Sequence, residues 1–283
     1  MAPWLIGLAS FTAGPLVISL YLSFTNYDLF TSPKWVGLAN FRRMFTDDPR
    51  YWHSVRVTAL YVVTSVPLKL SLALAVAVLI NRSRAGVGLY RALLYVPSLL
   101  GASVAIALVW RGMFDTGGAV NLALGLFGIH GGSWIYRPDT ALGTLVALGV
   151  WQFGAPMVIF LAGLKQIPPE LYDAAAIEGA NKLRQFIHIT VPMLSPVIFF
   201  NLLLEVIHAF QSFTPASIIS SGTGGPADST LVYTLYLYQQ GFTNFNMGYA
   251  SAMAWMLLVA IGAITLALFA TARFWVFYGG EDG

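Results

Sequence analysis

Four polar side chains stand at Asn201, Glu205, His208 and Ser212 in an otherwise apolar stretch of this chain. On an α-helix these positions fall within roughly 60° of one another, so they share a face. An amide, a carboxylate, an imidazole and a hydroxyl offer donors and acceptors in fixed directions, which suits a hydroxyl-rich solute. Gln211 lies beside this stripe, and Thr58, Ser65 and Lys69 form a weaker one in an earlier apolar window. Two roles fit both stripes: lining a solute route, or hydrogen-bonding helices to one another. A charge inside a membrane-spanning helix costs about 2.5–3.5 kcal/mol on insertion scales, so Lys69 and Glu205 are expected to face protein or water. They have the charges to pair. Trp151, Phe153 and Tyr95 offer flat rings on which a cyclic solute can stack, although aromatics are also ordinary span residues.

No catalytic constellation accompanies these groups. The chain has no GxxxxGK[ST] phosphate loop, no HExxH and no GxSxG. GVGLYR at 86–91 is glycine-rich but is not followed by the lysine of a phosphate loop. His53, His130, His188 and His208 are far apart in sequence, so no metal site is expected. Asp47 and Asp48 are adjacent, which in a loop predicts two solvated carboxylates. The chain has no cysteine, which excludes thiolate chemistry.

The elements that must position the polar stripes are membrane spans. Of 283 residues, 57% are hydrophobic and only 10% charged, against about 25% charged in soluble domains. The net charge of +3 implies no nucleic-acid surface. Apolar windows near 4–24, 57–80, 90–111, 141–164, 193–217 and 246–273 each approach the roughly 20 residues that cross about 30 Å of hydrocarbon. The first is too long and too poorly flanked to be a cleaved signal peptide and reads as a retained span. It starts almost at the membrane surface, leaving room for a short cytoplasmic tail before it. Loops 25–56, 112–140 and 218–245 then share one side, and 81–89, 165–192 and the C-terminal tail the other. The basic residues nearly balance: Arg82, Arg84 and Arg91 against Lys34, Arg42, Arg43, Arg50 and Arg56. Their density near span ends favours 81–91 as cytoplasmic. Residues 218–230 read as an irregular loop. LVYTLYLYQQGF after it reads as a short interfacial helix whose tyrosines suit the headgroup region.

Residues 171–192, LYDAAAIEGANKLRQFIHITVP, are too polar for lipid. Pro168 and Pro169 suit a first helical turn, where a missing N–H costs nothing. Glu170 and Asp173 suit its dipole. Leu171, Ala174, Ala175 and Glu178 fall on one side, and consecutive alanines permit close approach to another surface. Gly179 is placed to end this helix with a left-handed turn. A second helix carries Leu183, Phe186, Ile187 and Thr190 on one face and is expected to close at Pro192. The pair reads as a docking element for a partner protein on the cytoplasmic side.

DAAAIEGANKLRQFIHITVP resembles the EAA loop of permease subunits of binding-protein-dependent ABC importers. Asp173 stands at the Glu position, Ala174 and Ala175 at the alanines, Glu178 at the Asp before Gly179, and Pro192 at the terminal proline. WVGLANFRRMF (35–45), VTALY (57–61), YRALLYVPSLL (90–100), ALVWRGMFD (107–115) and TGGPADST with YQQGF (223–242) resemble the carbohydrate branch, which includes the maltose and glycerol-phosphate permeases. The resemblance implies an all-α integral membrane protein with about six transmembrane helices in the type I importer (MetI-like) permease fold. It implies one transmembrane domain over 1–283, with a cytoplasmic coupling loop at 165–192. Asp173, Ala174, Ala175, Glu178, Gly179 and Ala180 would couple to the ATPase. The partners implied are a second permease subunit, two copies of a cytoplasmic ATPase and an extracytoplasmic sugar-binding protein, in a bacterial inner membrane. The chain itself would be no enzyme and hold no cofactor, with ATP and Mg on the partner ATPase. An oligosaccharide is the expected cargo, with glycerol-phosphate or an amino sugar as alternatives. The rival classes are an ion-driven secondary transporter, a membrane-embedded enzyme and an exporter permease. The first would want a buried ionisable relay, the second a catalytic constellation, and exporters of this type lack the EAA loop.

Overall fold

The computed structural model describes residues 2–81, 87–101, 103–129 and 131–277. Arg82, Arg84 and His130 lie outside the described residues. Four helices are long and apolar enough to cross a bilayer: α1 (Pro3–Ser23), α2 (Pro49–Ile80), α8 (Lys182–Phe210) and α11 (Met247–Ala272). Two bent pairs also pass as crossings, α3 (Gly88–Leu100) with α4 (Val104–Met113) and α5 (Pro138–Trp151) with α6 (Gly154–Leu164). Shorter helices α7 (Pro169–Ile177), α9 (Thr214–Ile219) and α10 (Tyr233–Tyr238) lie between crossings. Among the described residues the one strand-like feature is a bridge between Thr25 and Trp35.

The six apolar windows thus correspond to four candidate crossings and two bent pairs, up to six crossings among the described residues, and three depart from straight spans. The 90–111 window is not one helix: α3 and α4 meet at 98°. Pro97 removes a backbone donor just before the break, and Ser103 restarts the helix by accepting from the Ile106 N–H at 3.3 Å. The 141–164 window bends by 41° between Trp151 and Gly154. The 193–217 window is shifted in register. Pro192 does not close the second loop helix. α8 runs from Lys182 straight through it, because a π-turn at Phe186–Thr190 widens the coil next to the missing Pro192 N–H. At its other end α8 stops at Phe210, and Pro215 opens α9. α2 has 32 residues, so at about 48 Å it is longer than the roughly 30 Å hydrocarbon layer.

The core divides in two along the bundle. One cluster packs Val66, Leu70, Ala73 and Ala77 of α2 against Phe160 and Leu164 of α6 and Leu194 of α8. It adjoins the 165–192 loop. The other packs Tyr51 and Tyr61 of α2 against Leu145 and Leu148 of α5, Tyr233 and Tyr236 of α10 and Met253 of α11, toward the opposite end. α1 has no buried residue over its apolar window.

Two loop expectations fail in that second cluster. Asp48 is not solvated. It is buried, caps α2 by accepting from the Tyr51 N–H at 3.1 Å, and accepts from the Tyr236 and Tyr249 hydroxyls at 2.6 Å each. Two of the three tyrosines of α10, Tyr233 and Tyr236, are likewise core residues, while Tyr238 is exposed. Tyr233 donates to the Met253 carbonyl at 2.8 Å, and burial followed by the Asp48 bond raises the Tyr236 pKa. A carboxylate with three donors loses nothing by leaving water. The 218–230 segment holds the tail of α9 and then an irregular run, with left-handed backbone at Ser221, Gly222, Gly224, Gly225, Ala227 and Asp228. Arg50 clamps Asp228 with two bonds of 2.8 and 2.7 Å.

Candidate functional site

A cavity of about 500 Å³ lies between the two core clusters. α2 contributes Tyr61, Ser65 and Lys69, and α8 contributes Glu205 and His208. The α8–α9 link adds Gln211, Ser212 and Thr214, and the breaks in the bent crossings add Ser98, Gly149, Gln152 and Ala155. Lys69 Nζ bonds Glu205 Oε2 at 2.8 Å, with side chains only 15% and 11% exposed. The two charges foreseen as partners do meet, and the pairing is what permits both inside the bundle.

Broken helices leave backbone groups free, and at membrane depth these must be satisfied internally or line a polar space. The Ser98 hydroxyl donates to the Gln152 carbonyl and accepts from the Ala155 N–H, both at 2.9 Å. Gln152 Nε2 donates to the Gly101 carbonyl at 3.1 Å. A Cβ at Gly154 would strike the Leu94 carbonyl and the Tyr95 backbone, so glycine there lets α3 and α6 close up. The break residues therefore hold the two bent crossings together and present polar atoms to the cavity.

Of the stripe on α8, Glu205 and His208 line the cavity. Ser212 lines it too, but from the link past the helix end, where its carbonyl accepts from Thr234 Oγ1 at 2.6 Å. Asn201 does not line it. It is buried at 1% exposure one turn away, with Nδ2 lacking a partner. Ser65 and Lys69 line the cavity, whereas Thr58 accepts from the Tyr233 N–H at 2.7 Å and holds α10. Trp151 packs on Trp110 with ring centroids 5.7 Å apart, and neither it nor Phe153 or Tyr95 is a lining residue. Tyr61 and Phe213 are the lining aromatics. Ser98, Gln152 and Tyr61 were missed in the sequence. A lone amide in the apolar 141–164 window, two residues before Gly154, was the signal available for Gln152. Among the described residues no three His, Asp or Glu side chains gather as metal ligands do.

The second site is the 165–192 hairpin. α7 begins at Pro169 with Pro168 as its cap. Gly179, at φ 81°, ends it in a Schellman turn: the Ala180 N–H bonds the Ala175 carbonyl at 2.9 Å and the Gly179 N–H bonds the Ala176 carbonyl at 3.0 Å. Asn181 restarts the chain, accepting from the Arg184 N–H at 2.9 Å. Gln185, buried, donates to the Tyr172 and Ala180 carbonyls at 3.3 Å each, pinning the two arms. Asp173, Ala174, Glu178 and Gly179 are exposed, Ala175 and Ala180 half-buried. Ile177 is 89% and Leu183 67% exposed, an apolar edge that water does not explain.

Comparison with known proteins agrees with this architecture. Residues 69–277 match the model of the binding-protein-dependent transport system inner membrane component. The chain is 52% identical over 283 residues to a probable ABC transporter permease protein, YesP, of Bacillus subtilis, covering 100% of this chain and 92% of that one. It is 30% identical over 280 residues to the lactose transport system permease protein LacF of Rhizobium radiobacter, covering 96% and 92%. The fold matches a bacterial ABC transporter involved in the import of the acidic polysaccharide alginate, with a TM-score of 0.78 over 96% of this chain and 92% of that one, at 21% identity. The chain belongs to the family of binding-protein-dependent transport system inner membrane components, and is a multi-pass permease subunit of an ABC transporter.

Proposed function

We propose that this chain is one half of the membrane passage of an ATP-driven importer, and that its cargo is an oligosaccharide. The supporting observation is the cavity: a polar, half-enclosed space in an apolar bundle, carrying hydroxyl, amide, carboxylate and ammonium groups from four separate crossings. Such groups replace the water around a sugar's hydroxyls. Its volume falls within the range of small-molecule sites, about 300–1,000 Å³. The lactose permease among the relatives is in keeping with a carbohydrate cargo.

The exposed α7 and its Schellman turn are the coupling element. Asp173, Ala174, Ala175, Glu178, Gly179 and Ala180 meet a cytoplasmic ATPase, one of two copies, which holds ATP and Mg. α8 continues the second arm of the hairpin without interruption as far as Glu205 and His208. A push on the hairpin therefore reaches the cavity through one helix. A second permease supplies the other wall, and an extracytoplasmic sugar-binding protein delivers cargo to the end away from the hairpin. Residues 1–283 act as a single transmembrane domain that opens to one side at a time.

The test is uptake of labelled oligosaccharides by proteoliposomes holding the assembled complex. With ATP inside and ion gradients collapsed, uptake should persist, and Ser212→Trp should abolish it by filling the cavity. Uptake that follows an ion gradient and ignores ATP overturns the assignment. Normal uptake by Ser212→Trp overturns the cavity as the passage.

A further inference from the structure

The cavity has a floor. Its lining residues on α2 run from Tyr61 to Lys69, and on α8 from Glu205 to Ala209. α8 starts at the hairpin, so Glu205 is its lining residue nearest that end. Lys69 holds the same place on α2, whose next turns, Ala73 and Ala77, pack in the cluster of Leu164 and Leu194 beside the hairpin. The deepest lining residue of each helix is thus a charge, and the two charges bond across the gap at 2.8 Å. Beyond them the interior is closed and largely apolar. Among the described residues of α8 on that side, Gln185, Thr190 and Ser195 are buried polar side chains with hydrogen-bond partners, and Asn201 is the exception. Asn201 sits one helical turn past Glu205, at 1% exposure, with Nδ2 unpartnered. Native interiors rarely leave a buried donor unmet.

We propose that the Lys69–Glu205 pair is the closed gate of the passage, and that Asn201 receives the Glu205 carboxylate when the gate opens. The proposal rests on the cavity being the passage. With a second permease as the other wall, this chain's half of the passage opens toward the hairpin when its own floor opens, and that parts α2 from α8 at this level. Parting two charges in a low-dielectric interior leaves both uncompensated, which is prohibitive unless each finds a new partner. Lys69 has the cavity's water and the cargo's hydroxyls. Glu205 has Asn201, because residues four apart on a helix are neighbours on one face. The unmet amide of the closed form is then the met amide of the open form, and its placement lowers the difference between the two states.

The experiment uses the assembled complex in proteoliposomes loaded with labelled raffinose and mannitol, without ATP. Lys69→Met and Glu205→Gln should each raise the leak by about tenfold or more, the change that about 1.4 kcal/mol of lost gate stability gives. The swap Lys69→Glu with Glu205→Lys should restore tightness, since it rebuilds the pair. Asn201→Leu should stay tight yet slow ATP-driven uptake severalfold. The chain has no cysteine, so Lys69→Cys with Glu205→Cys joined by a short thiol crosslinker tests the gate even where a charge variant assembles poorly. Crosslinking should stop uptake, and a cleavable linker should restore it. Tight single variants, a swap as leaky as the singles, or uptake through the crosslinked complex overturns the gate, and Asn201→Leu at full rate overturns the role of that amide. Ser212→Trp separates the two levels. If it blocks uptake while the crosslinked complex still transports, the passage stands and the gate falls. If it transports normally, both fall.

Discussion

The hairpin and the cavity are held together in opposite ways. Every bond that shapes the hairpin joins near neighbours: Ala180 to Ala175, Asn181 to Arg184, and Gln185 to residues 5 and 13 positions back. The cavity's central bond joins Lys69 to Glu205, 136 positions apart. Asp48 reaches Tyr236 and Tyr249 across 188 and 201 positions. A local structure is encoded where it stands and can fail without the bundle failing. A non-local bond is encoded nowhere in particular and is part of the bundle's own stability. Substitutions in the two regions should therefore move different measurements.

The largest effect is expected at the ion pair. Glu205→Leu leaves the Lys69 ammonium without its partner at 15% exposure. Breaking such a pair costs about 3–5 kcal/mol, toward the lower end here because Lys69 still meets cavity water. The melting temperature of the complex should fall clearly, while Glu205→Gln, which keeps volume and an acceptor, should fall much less. Equal melting of the two variants would show that the lost charge alone sets the cost and that the retained acceptor contributes nothing. Next comes Asp48→Ala, which removes a helix cap and the acceptor of two buried hydroxyls. At about 1 kcal/mol for the cap and the lower end, about 1 kcal/mol, for each of the two hydroxyls, which can turn to other acceptors, a loss of about 3 kcal/mol is expected in thermal unfolding. An unchanged melt would mean that water replaces the carboxylate.

The hairpin should answer differently. Gly179 sits at φ 81° with open space around it, so a side chain there meets strain but no clash. Gly179→Val costs on the order of 1–2 kcal/mol locally. Membrane insertion and the bundle's melt should hold, while ATPase docking, measured by co-purification, weakens. Gly179→Asn, which tolerates left-handed backbone, should retain most of the docking. A Val variant that melts early with docking intact would erase the distinction between the regions.

The same contrast explains what could be read from the sequence. The hairpin was legible down to its turn, since Pro169 and Gly179 each act within a few residues of themselves, while the Asn181 cap was not read. The apolar windows were legible from hydropathy alone. The bends between α3 and α4 and at Gln152 were not, because apolar windows carry no direction and Pro97 alone does not set a bend. Pro192 misled because a π-turn next to a proline continues the helix that proline usually ends. Asp48 was assigned to water, and Tyr233 and Tyr236 to the headgroup region, because nothing near Asp48 in the sequence shows that Tyr236 and Tyr249 arrive there. Part of the cavity was visible as stripes, Glu205, His208 and Ser212 in one window and Ser65 and Lys69 in another. Ser98 and Gln152 join it only because two helices break side by side.

The smallest effect is expected where a non-local bond is nonetheless wet. Arg50 and Asp228 are 178 positions apart, yet their side chains are 46% and 28% exposed. Exposed ion pairs are worth about 0–1 kcal/mol, because water and salt compete for both charges. Arg50→Lys loses the paired bonds to the carboxylate but keeps the charge, so the melt should shift by less than that and less again in high salt. The Asp228 backbone gives a second reason for a small effect. His53 Nε2 lies 3.0 Å from its carbonyl, which holds the left-handed turn in place without Arg50. Distance along the chain would then matter only where burial accompanies it. A shift as large as that of Asp48→Ala would mean that the clamp carries the 221–228 loop by itself, and that long-range connection, wet or dry, is what the bundle depends on.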